Sequence, residues 1–344
     1  MTVISLTRGD AADAAGVVPP RRRRGRIALA RIGGGLAVLV PIVFLSSFIT
    51  YCLGALSNSN PAATILGQDA ATPAAVARLD KYLGLDHPLI VQYWNWLVQA
   101  VHGNLGLSYF TQIPVSQSIS QRFPVDLSIA ILAVILAVLI GGTAGTVAAI
   151  RRGGWLDRGI TAVCSAASTL PAFVVGIILV VLFAVKIHLF PANGYVGPSA
   201  GLGDWLSHVI LPSLALSVAA SADIARQLRT SLVQVLDQNY IVGAKVRGLP
   251  YRRILVRHAL RNATGPALVT LGYDFPQMLA GAVALEVVFS LPGLGQLLIE
   301  AAETRDIPVV QGLLLVISTF VIVINLVINT TLNWLYRAGD EVGT

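Results

Sequence analysis

The sequence predicts an all-α membrane protein that crosses the bilayer several times. Hydrophobic residues make up 55% of the 344 residues and charged residues only 12%, and the mean hydropathy is +0.73. This composition is too apolar for a water-soluble domain of the same length. The net charge of +7 would also suit a nucleic-acid-binding protein. The cations, however, lie beside apolar segments without interleaved aromatic residues, so we expect no nucleic-acid partner.

Six segments are each long and apolar enough to form one membrane-spanning helix, which needs about 20 mainly apolar residues. Pro212 and Asp223 interrupt the fourth segment, and Asp274 lies in the fifth. Interrupted spans are tolerated where protein or a water-filled cavity surrounds them, so these two spans are expected to line the middle of an assembly. The predicted spans are residues 32–53, 126–150, 161–184, 206–225, 264–285 and 309–335.

Basic residues alternate between the predicted loops and indicate an orientation. Arginine clusters precede the first span and join the second to the third, and eight Lys or Arg lie from Arg226 to Arg261. Because cytoplasmic loops carry the excess of Lys and Arg, both termini are expected in the cytoplasm. We expect residues 1–31 to form a disordered, basic cytoplasmic extension. The loops expected outside are residues 54–125, 186–205 and 286–308.

The external segment 54–125 is long enough to contain short helices of its own. Thr72 is a suitable N-cap before Pro73, and a second helix is expected over 88–102. The aromatic residues of that second helix, among them Tyr93 and Trp94, suit the level of the lipid headgroups. Contact with an external binding protein is the alternative.

A basic, glycine-punctuated segment follows the fourth span and predicts a docking surface. Asp237 or Asn239 can cap a short helix starting at Tyr240, and Gly248 can end it in the left-handed conformation. Tyr240, Ala244 and Arg247 then share one face, which we expect to fill a groove on another subunit. The alternative is an interfacial helix held by anionic lipid. The candidate coupling residues are Tyr240, Ala244, Lys245, Arg247, Gly248, Arg252 and Arg253.

The loop between the fifth and sixth spans predicts an outer gate. Glycines and a proline interrupt the apolar stretch from Glu286 to Gln296, so the backbone can turn and re-enter the membrane there. Asn325, Asn329 and Asn333 form a stripe on span six that suits helix packing, with lining of the path as the alternative. The candidate gate and path residues are Asp274, Glu286, Pro292, Gly293, Gly295 and Asn325.

Several stretches resemble one family of transporters. They are the basic segment YIVGAKVRGLPYRRILVRHALRNATGPALVTLG, GNLGLSY at 103–109, YDFPQMLAGAVALEVVFSLPGLGQLL at 273–298 and RDIPVVQG at 305–312. The first is similar to the "EAA" coupling loop of ABC importer permeases of the dipeptide, oligopeptide and nickel group. Val242, Gly243 and Ala244 stand where the general pattern has Glu-Ala-Ala, and the C-terminal residues from Leu335 to Ala338 also depart from it.

The resemblance implies the first permease subunit of a bacterial peptide importer, in the plasma membrane and with the type I permease fold. It further implies a second permease subunit, two ATPase subunits and an extracytoplasmic substrate-binding protein. Dipeptide, longer peptide, nickel chelate and glutathione all remain open as cargo. The chain would then consist of the extension 1–31, the first span 32–53, the external segment 54–125 and a core 126–335 that contains a coupling loop, 226–262.

We expect no cofactor or metal on this chain and no enzymatic activity. A P-loop needs Gly-Lys followed by Ser or Thr, and none of the three lysines, Lys81, Lys186 and Lys245, follows a glycine. ATP and magnesium are therefore expected on the partner ATPases. Cys52 and Cys164 both fall in apolar segments and indicate neither a disulfide nor a metal site.

Two other functions are alternatives to an importer permease. In an ion-driven secondary transporter, Asp223, Asp274 and Glu286 would be the ion sites, because carboxylates inside a membrane are functional candidates. In an intramembrane aspartyl protease, Asp274 would pair with Asp204, although the order of the two motifs is reversed here.

Overall fold

The computed structural model describes residues 41, 44–45, 47–52 and 61–340, and this part of the chain is helical, without named strands. The first predicted span lies largely outside the described residues, as does the extension 1–31. Of that span, residues 41, 44–45 and 47–52 are helical. In chain order from residue 61, the helices are α1 Pro61–Ala70, α2 Pro73–Leu83, α3 Leu89–Val101, α4 Val115–Ile150, α5 Trp155–Ala167, α6 Ala172–Leu179 with its π-helical continuation Val180–Lys186, α7 Leu202–Leu236, α8 Asn239–Val246, α9 Tyr251–Phe289, α10 Leu294–Thr304 and α11 Ile307–Asp340.

Four of these helices, α4, α7, α9 and α11, are long and apolar enough to cross a membrane. They contain the second, fourth, fifth and sixth predicted spans. The coupling loop predicted over 226–262 is mostly helix in the structure, because α7 continues to Leu236 and α9 begins at Tyr251. The connecting segment is therefore short and holds α8.

The third predicted span, 161–184, is not one straight helix. Instead α5 and α6 meet at a bend of 105°, so the described residues contain four long spans, or five if this bent pair crosses as one. Pro171 precedes α6 in an extended conformation. Proline has no N–H to donate and disfavours helical geometry in the residue before it, which explains the break.

Helix α7 lies at the centre of the bundle and packs against α4 on one side and α9 on the other. A Cβ atom on Gly141 would lie 2.5 Å from the carbonyl oxygen of Ser221, and one on Gly145 would lie 2.6 Å from that of Ala225. Only hydrogen fits at these two positions, so the two glycines of α4 allow the close approach of the helices.

A buried ion pair joins α5 to α7. Arg229 donates from Nε and Nη2 to the two carboxylate oxygens of Asp157 at 2.6 and 2.7 Å. Asp157 is buried and also accepts from the Gly153 amide, so this bidentate pair stabilises the turn between α4 and α5 against the central helix.

The segment predicted to be external contains the three short helices α1, α2 and α3 in its described residues before α4. Thr72 Oγ1 accepts a hydrogen bond from the Ala75 amide at 3.3 Å, which confirms the predicted cap of α2. Tyr93, expected at the headgroup level, is instead buried among the rings of Phe48 and Tyr51, at centroid distances of 5.2 and 5.6 Å. The tyrosine is thus part of a small core that joins α3 to the helical residues 47–52.

Candidate functional site

The short helix α8 forms the first candidate site, which the sequence predicts on the cytoplasmic side, and we name it the coupling helix. Its N-cap is Gln238 in an extended conformation, and no side chain caps it. Asn239 is already helical, and Asp237 accepts a hydrogen bond from Arg152 at 2.8 Å instead. The prediction that Asp237 or Asn239 caps this helix is therefore wrong, because Asp237 pairs across to the loop after α4.

The coupling helix ends as the sequence predicts. Gly248 has φ +76°, in the left-handed region, and its amide donates to the Lys245 carbonyl at 2.9 Å. The Leu249 amide donates to the Ala244 carbonyl at 3.2 Å. Pro250 follows in an extended conformation and leads directly into α9. One glycine thus turns the chain from the coupling helix into a spanning helix.

The buried face of the coupling helix differs from the predicted one. Ile241 and Ala244 are 0% and 3% exposed and pack in the protein's own core, in the same cluster as Ile254. Ala244 therefore cannot enter a groove on another subunit. The opposite face carries the exposed or half-exposed residues Asn239, Val242, Gly243 and Val246.

Exposed cations lie on the coupling helix and at the start of α9. Lys245, Arg247, Arg252 and Arg253 are all exposed, and none forms an ion pair within the described part of the chain. Tyr240 is half-exposed, and its hydroxyl accepts a hydrogen bond from Asn262 at 2.9 Å. The coupling helix therefore presents two valines, of which Val246 is 82% exposed, between the exposed cations Lys245 and Arg247.

The predicted gate is built around a buried carboxylate. Glu286, only 2% exposed, lies in the last turns of α9 and faces the N-terminus of α10. The Gly295 amide donates to Glu286 Oε1 at 3.1 Å, and the Gln296 amide donates to Oε2 at 2.7 Å. The Leu294 amide donates to Asp126 Oδ2 at 2.8 Å. Two acidic side chains from α9 and α4 thus satisfy the first free amides of α10.

The glycines of this segment leave room for the carboxylate of Glu286. A Cβ atom on Gly293 would lie 2.4 Å from Glu286 Cδ, and one on Gly295 would lie 2.7 Å from Oε1. Gly293 has φ −95° and ψ −175°, which other residues also adopt. The stretch is therefore not a loop that turns at its glycines: the left-handed residue is Ser290, Pro292 is exposed in the turn, and a helix follows. We name α10 the gate helix.

The two remaining path candidates lie in the spans. Asp274 on α9 is within electrostatic reach of Asp223 and Arg226 on α7, which contact each other. Its Oδ2 is buried and has no hydrogen-bond partner among the described residues. Asn325 donates to the Val321 carbonyl at 3.1 Å and packs against Gly272, where a Cβ would lie 3.3 Å from its Oδ1. The packing interpretation of Asn325 thus has direct support.

The structure does not bring together the carboxylates of the protease interpretation. Asp274 faces Asp223, whereas Asp204 is exposed in the first turn of α7. The 19 positions between Asp204 and Asp223 correspond to about 28 Å of helix. An aspartyl dyad needs two carboxylates in direct contact, so this function is not supported.

Sequence reasoning missed two acidic residues that join distant segments of the chain. Asp126 is one. Asp306 is the other: it accepts from Ser108 Oγ at 2.5 Å and from the Tyr109 amide at 3.1 Å. Burial raises the pKa of the Asp306 carboxyl, while the bond from Ser108 lowers it. Two of the family-like stretches, GNLGLSY and RDIPVVQG, therefore contact each other through these residues.

The long apolar helices define a polytopic membrane protein. Residues 141–338 match the family described as binding-protein-dependent transport system inner membrane component, and residues 26–130 match the N-terminal family of such membrane components. The chain belongs to this family. It is a multi-pass protein of the bacterial inner membrane with the type I ABC importer permease fold.

Similar proteins cover nearly the same length. A probable peptide ABC transporter permease protein of Sinorhizobium fredii is 37% identical over 294 residues, which span 86% of this chain and 94% of that protein. A putative peptide transport system permease protein of Brucella abortus is 37% identical over 305 residues, or 89% and 96%. A glutathione transport system permease protein of Escherichia coli K12 is 35% identical over 291 residues, or 85% and 92%.

Proposed function

We propose that this chain is one of two permease subunits of an ATP-driven importer and that its cargo is a peptide. The family supports the permease role, and the names of the similar proteins support a peptide or the tripeptide glutathione as cargo. The partners are a second permease subunit, two ATPase subunits that bind ATP and magnesium, and an extracytoplasmic binding protein that selects the cargo.

The observation that carries the proposal is the exposed face of the coupling helix. Val242 and Val246 are 49% and 82% exposed on a helix whose other face is fixed in the core by Ile241. An apolar face with neighbouring cations, held rigidly, suits a groove on a partner protein. Because Gly248 and Pro250 connect this helix directly to α9, movement of a docked ATPase would be transmitted into a spanning helix.

The path itself would lie along the polar groups of α7 and α9. Asp223, Arg226 and Asp274 are charged residues of these two helices on faces that are not fully buried within this chain. Charged residues within spans normally face a bundle interior or a water-filled cavity. A second permease subunit would complete that cavity, with the gate helix at its outer end.

The test is a pair of substitutions with matched exposure. Val246→Asp places a charge in the centre of the coupling face and should abolish copurification of the ATPases, while the chain still inserts. Val101→Asp, at a valine that is 77% exposed on the external helix α3, should leave ATPase association unchanged. Normal ATPase association of Val246→Asp would contradict the proposal.

Uptake measurements decide between the two kinds of transporter. Uptake of a labelled dipeptide by cells with the complete importer should stop when ATP is depleted and persist when an ionophore removes the ion gradients. The opposite pattern would favour the secondary transporter, in which the carboxylates of the spans carry ions.

A further inference from the structure

Helix α3 has three faces, and each has different surroundings. Its buried face packs against other parts of the chain and consists of Leu89, Tyr93, Trp96, Leu97 and Ala100. Its polar face lines a cleft beside α2 and consists of Gln92, Asn95 and Gln99. The third face is apolar and exposed, and it carries Ile90, Trp94 and Val98, at 70%, 58% and 43% exposure. With 3.6 residues per turn, the centres of these faces lie about a third of a turn apart.

The third face differs from what water favours on a helix. A helix at the surface of a soluble protein carries charged and polar residues outside its core-facing stripe. All 13 residues of α3 are described, and none of them is charged. An exposed apolar face of this kind marks a contact with another protein or with a membrane.

Contacts of the buried face fix the position of α3 relative to the spans. The Tyr93 ring contacts the rings of Phe48 and Tyr51, which lie near the end of the first predicted span, 32–53. Tyr93 also belongs to one buried cluster with Ile307, the first residue of α11. Because packed helices lie about 8–10 Å apart, α3 lies within about one helix diameter of the ends of two spans.

The ends of these two spans are level with each other. Ser47 Oγ donates to Gln311 Oε1 at 2.8 Å, and Gln311 Nε2 donates to the Ser47 carbonyl at 3.0 Å. Beyond the hydrocarbon that the spans cross, a bilayer has a headgroup layer about 5–8 Å deep on each side. A helix about 10 Å wide that is held at the ends of two spans overlaps this layer. Tryptophan is enriched in the same layer, because its ring is apolar and its N–H can be hydrated.

We propose that the face of α3 that carries Ile90, Trp94 and Val98 lies in the lipid headgroup layer, so that α3 is an interfacial helix. The inference goes beyond the proposed function, because the partner is the bilayer and not a subunit or a cargo. The buried face then lies against the spans, the polar face meets water beside α2, and the apolar face contacts the ends of the acyl chains. Contact with an external binding protein is the competing interpretation, and it leaves this face in water when that protein is absent.

The test measures the depth of single side chains by spin labelling. Cysteine replaces Trp94 or Val98 in a background without Cys52 and Cys164. The labelled full chain is reconstituted in phosphatidylcholine vesicles without a binding protein. Electron paramagnetic resonance then compares the collisions of each label with oxygen, which concentrates in lipid, and with a nickel chelate, which stays in water. 

Two further positions calibrate the measurement. Ala77→Cys, at an exposed residue of α2, is the control for water. Ile131→Cys, at a residue that is 49% exposed on the spanning helix α4, is the control for lipid. Position 98 gives the same answer as position 94 if Trp94→Cys does not fold.

We expect the ratio of oxygen to nickel collisions at positions 94 and 98 to exceed that at position 77 by about fivefold or more, and to lie below that at position 131. Ile90→Asp, added to the Val98→Cys chain, should lower the ratio by about threefold or more, because a carboxylate is poorly tolerated against acyl chains. Ala74→Asp, on the exposed side of α2, should leave the ratio unchanged. Ratios at 94 and 98 equal to that at 77 would overturn the proposal and favour the binding-protein interpretation. The measurement involves neither ATP nor uptake, so its outcome is independent of the proposed importer function.

Discussion

Replacement of Gly293 by alanine tests the architecture of the outer gate with a single methyl group. The added Cβ would lie 2.4 Å from Glu286 Cδ and 2.5 Å from its Oε2. Carbon atoms pack at about 3.5 Å, so the carboxylate must move by about 1 Å. A shift of that size breaks the 2.7 Å hydrogen bond from Gln296. The backbone at Gly293 is extended, so the methyl group adds no conformational strain of its own.

The cost follows from the hydrogen bonds that are lost. A hydrogen bond to a charged group contributes about 1.5–3 kcal/mol, and one or both bonds to Glu286 are affected. We therefore expect Gly293→Ala to destabilise the gate helix by about 3 kcal/mol. Thermal unfolding of the assembled importer and peptide uptake should both decline. Gly159→Ala on α5, where a Cβ would meet nothing within 4 Å, is the matched control and should leave both measurements unchanged.

A double variant tests whether the collision with Glu286 is the cause. In Glu286→Ala the carboxylate is absent, so addition of Gly293→Ala should cost little more than Glu286→Ala alone. If Gly293→Ala behaves like Gly159→Ala, or if its effect adds fully to that of Glu286→Ala, the glycine does not make room for the carboxylate.

Four further outcomes are expected. Gly248→Val strains a residue at φ +76° by about 1–2 kcal/mol, so the chain should insert but lose copurifying ATPases; unchanged association would mean that the turn is unimportant. Ala244→Glu places an unpaired charge in the core at a cost of several kcal/mol, so an immunoblot should show less of the subunit itself, and a normal amount would contradict the burial found here. A cysteine at Gly197 should react with an impermeant thiol reagent in intact cells and one at Gly154 should not; the reverse would invert the topology. Asp274→Asn should lower uptake without lowering the amount of folded protein, and normal uptake would remove Asp274 from the path.

Hydropathy and local chemistry predicted much of the fold. Apolar runs of about 20 residues located the later spans, because the bilayer demands that length. The N-cap at Thr72 and the left-handed helix end at Gly248 were predicted from contacts within one turn of the chain, and both are confirmed. The span over 161–184 was predicted as one helix because hydropathy does not register the effect of Pro171 on direction.

The candidate sites could be predicted only in part. The sequence located the segments around Tyr240 and Glu286, but the direction of each side chain depends on tertiary packing. Ala244 fits an outward face by spacing alone, yet the core of this chain covers it. Asp126 and Leu294 are 168 positions apart, so no local pattern could reveal that they meet. Gly293 was predicted to let the backbone turn. In the structure its missing side chain leaves room for the carboxylate of Glu286.

The gate helix has consequences for exchanging parts between related permeases. Its N-terminus is satisfied by side chains from two other helices, Asp126 on α4 and Glu286 on α9. A chimera that receives only a foreign loop between Phe289 and Ile307 would combine that loop with acceptors shaped for another sequence. The smallest transferable unit therefore includes the outer halves of α4 and α9. Hybrid importers divided at the visible loop boundaries should assemble poorly, whereas hybrids divided near the bilayer midplane should retain a functional outer face.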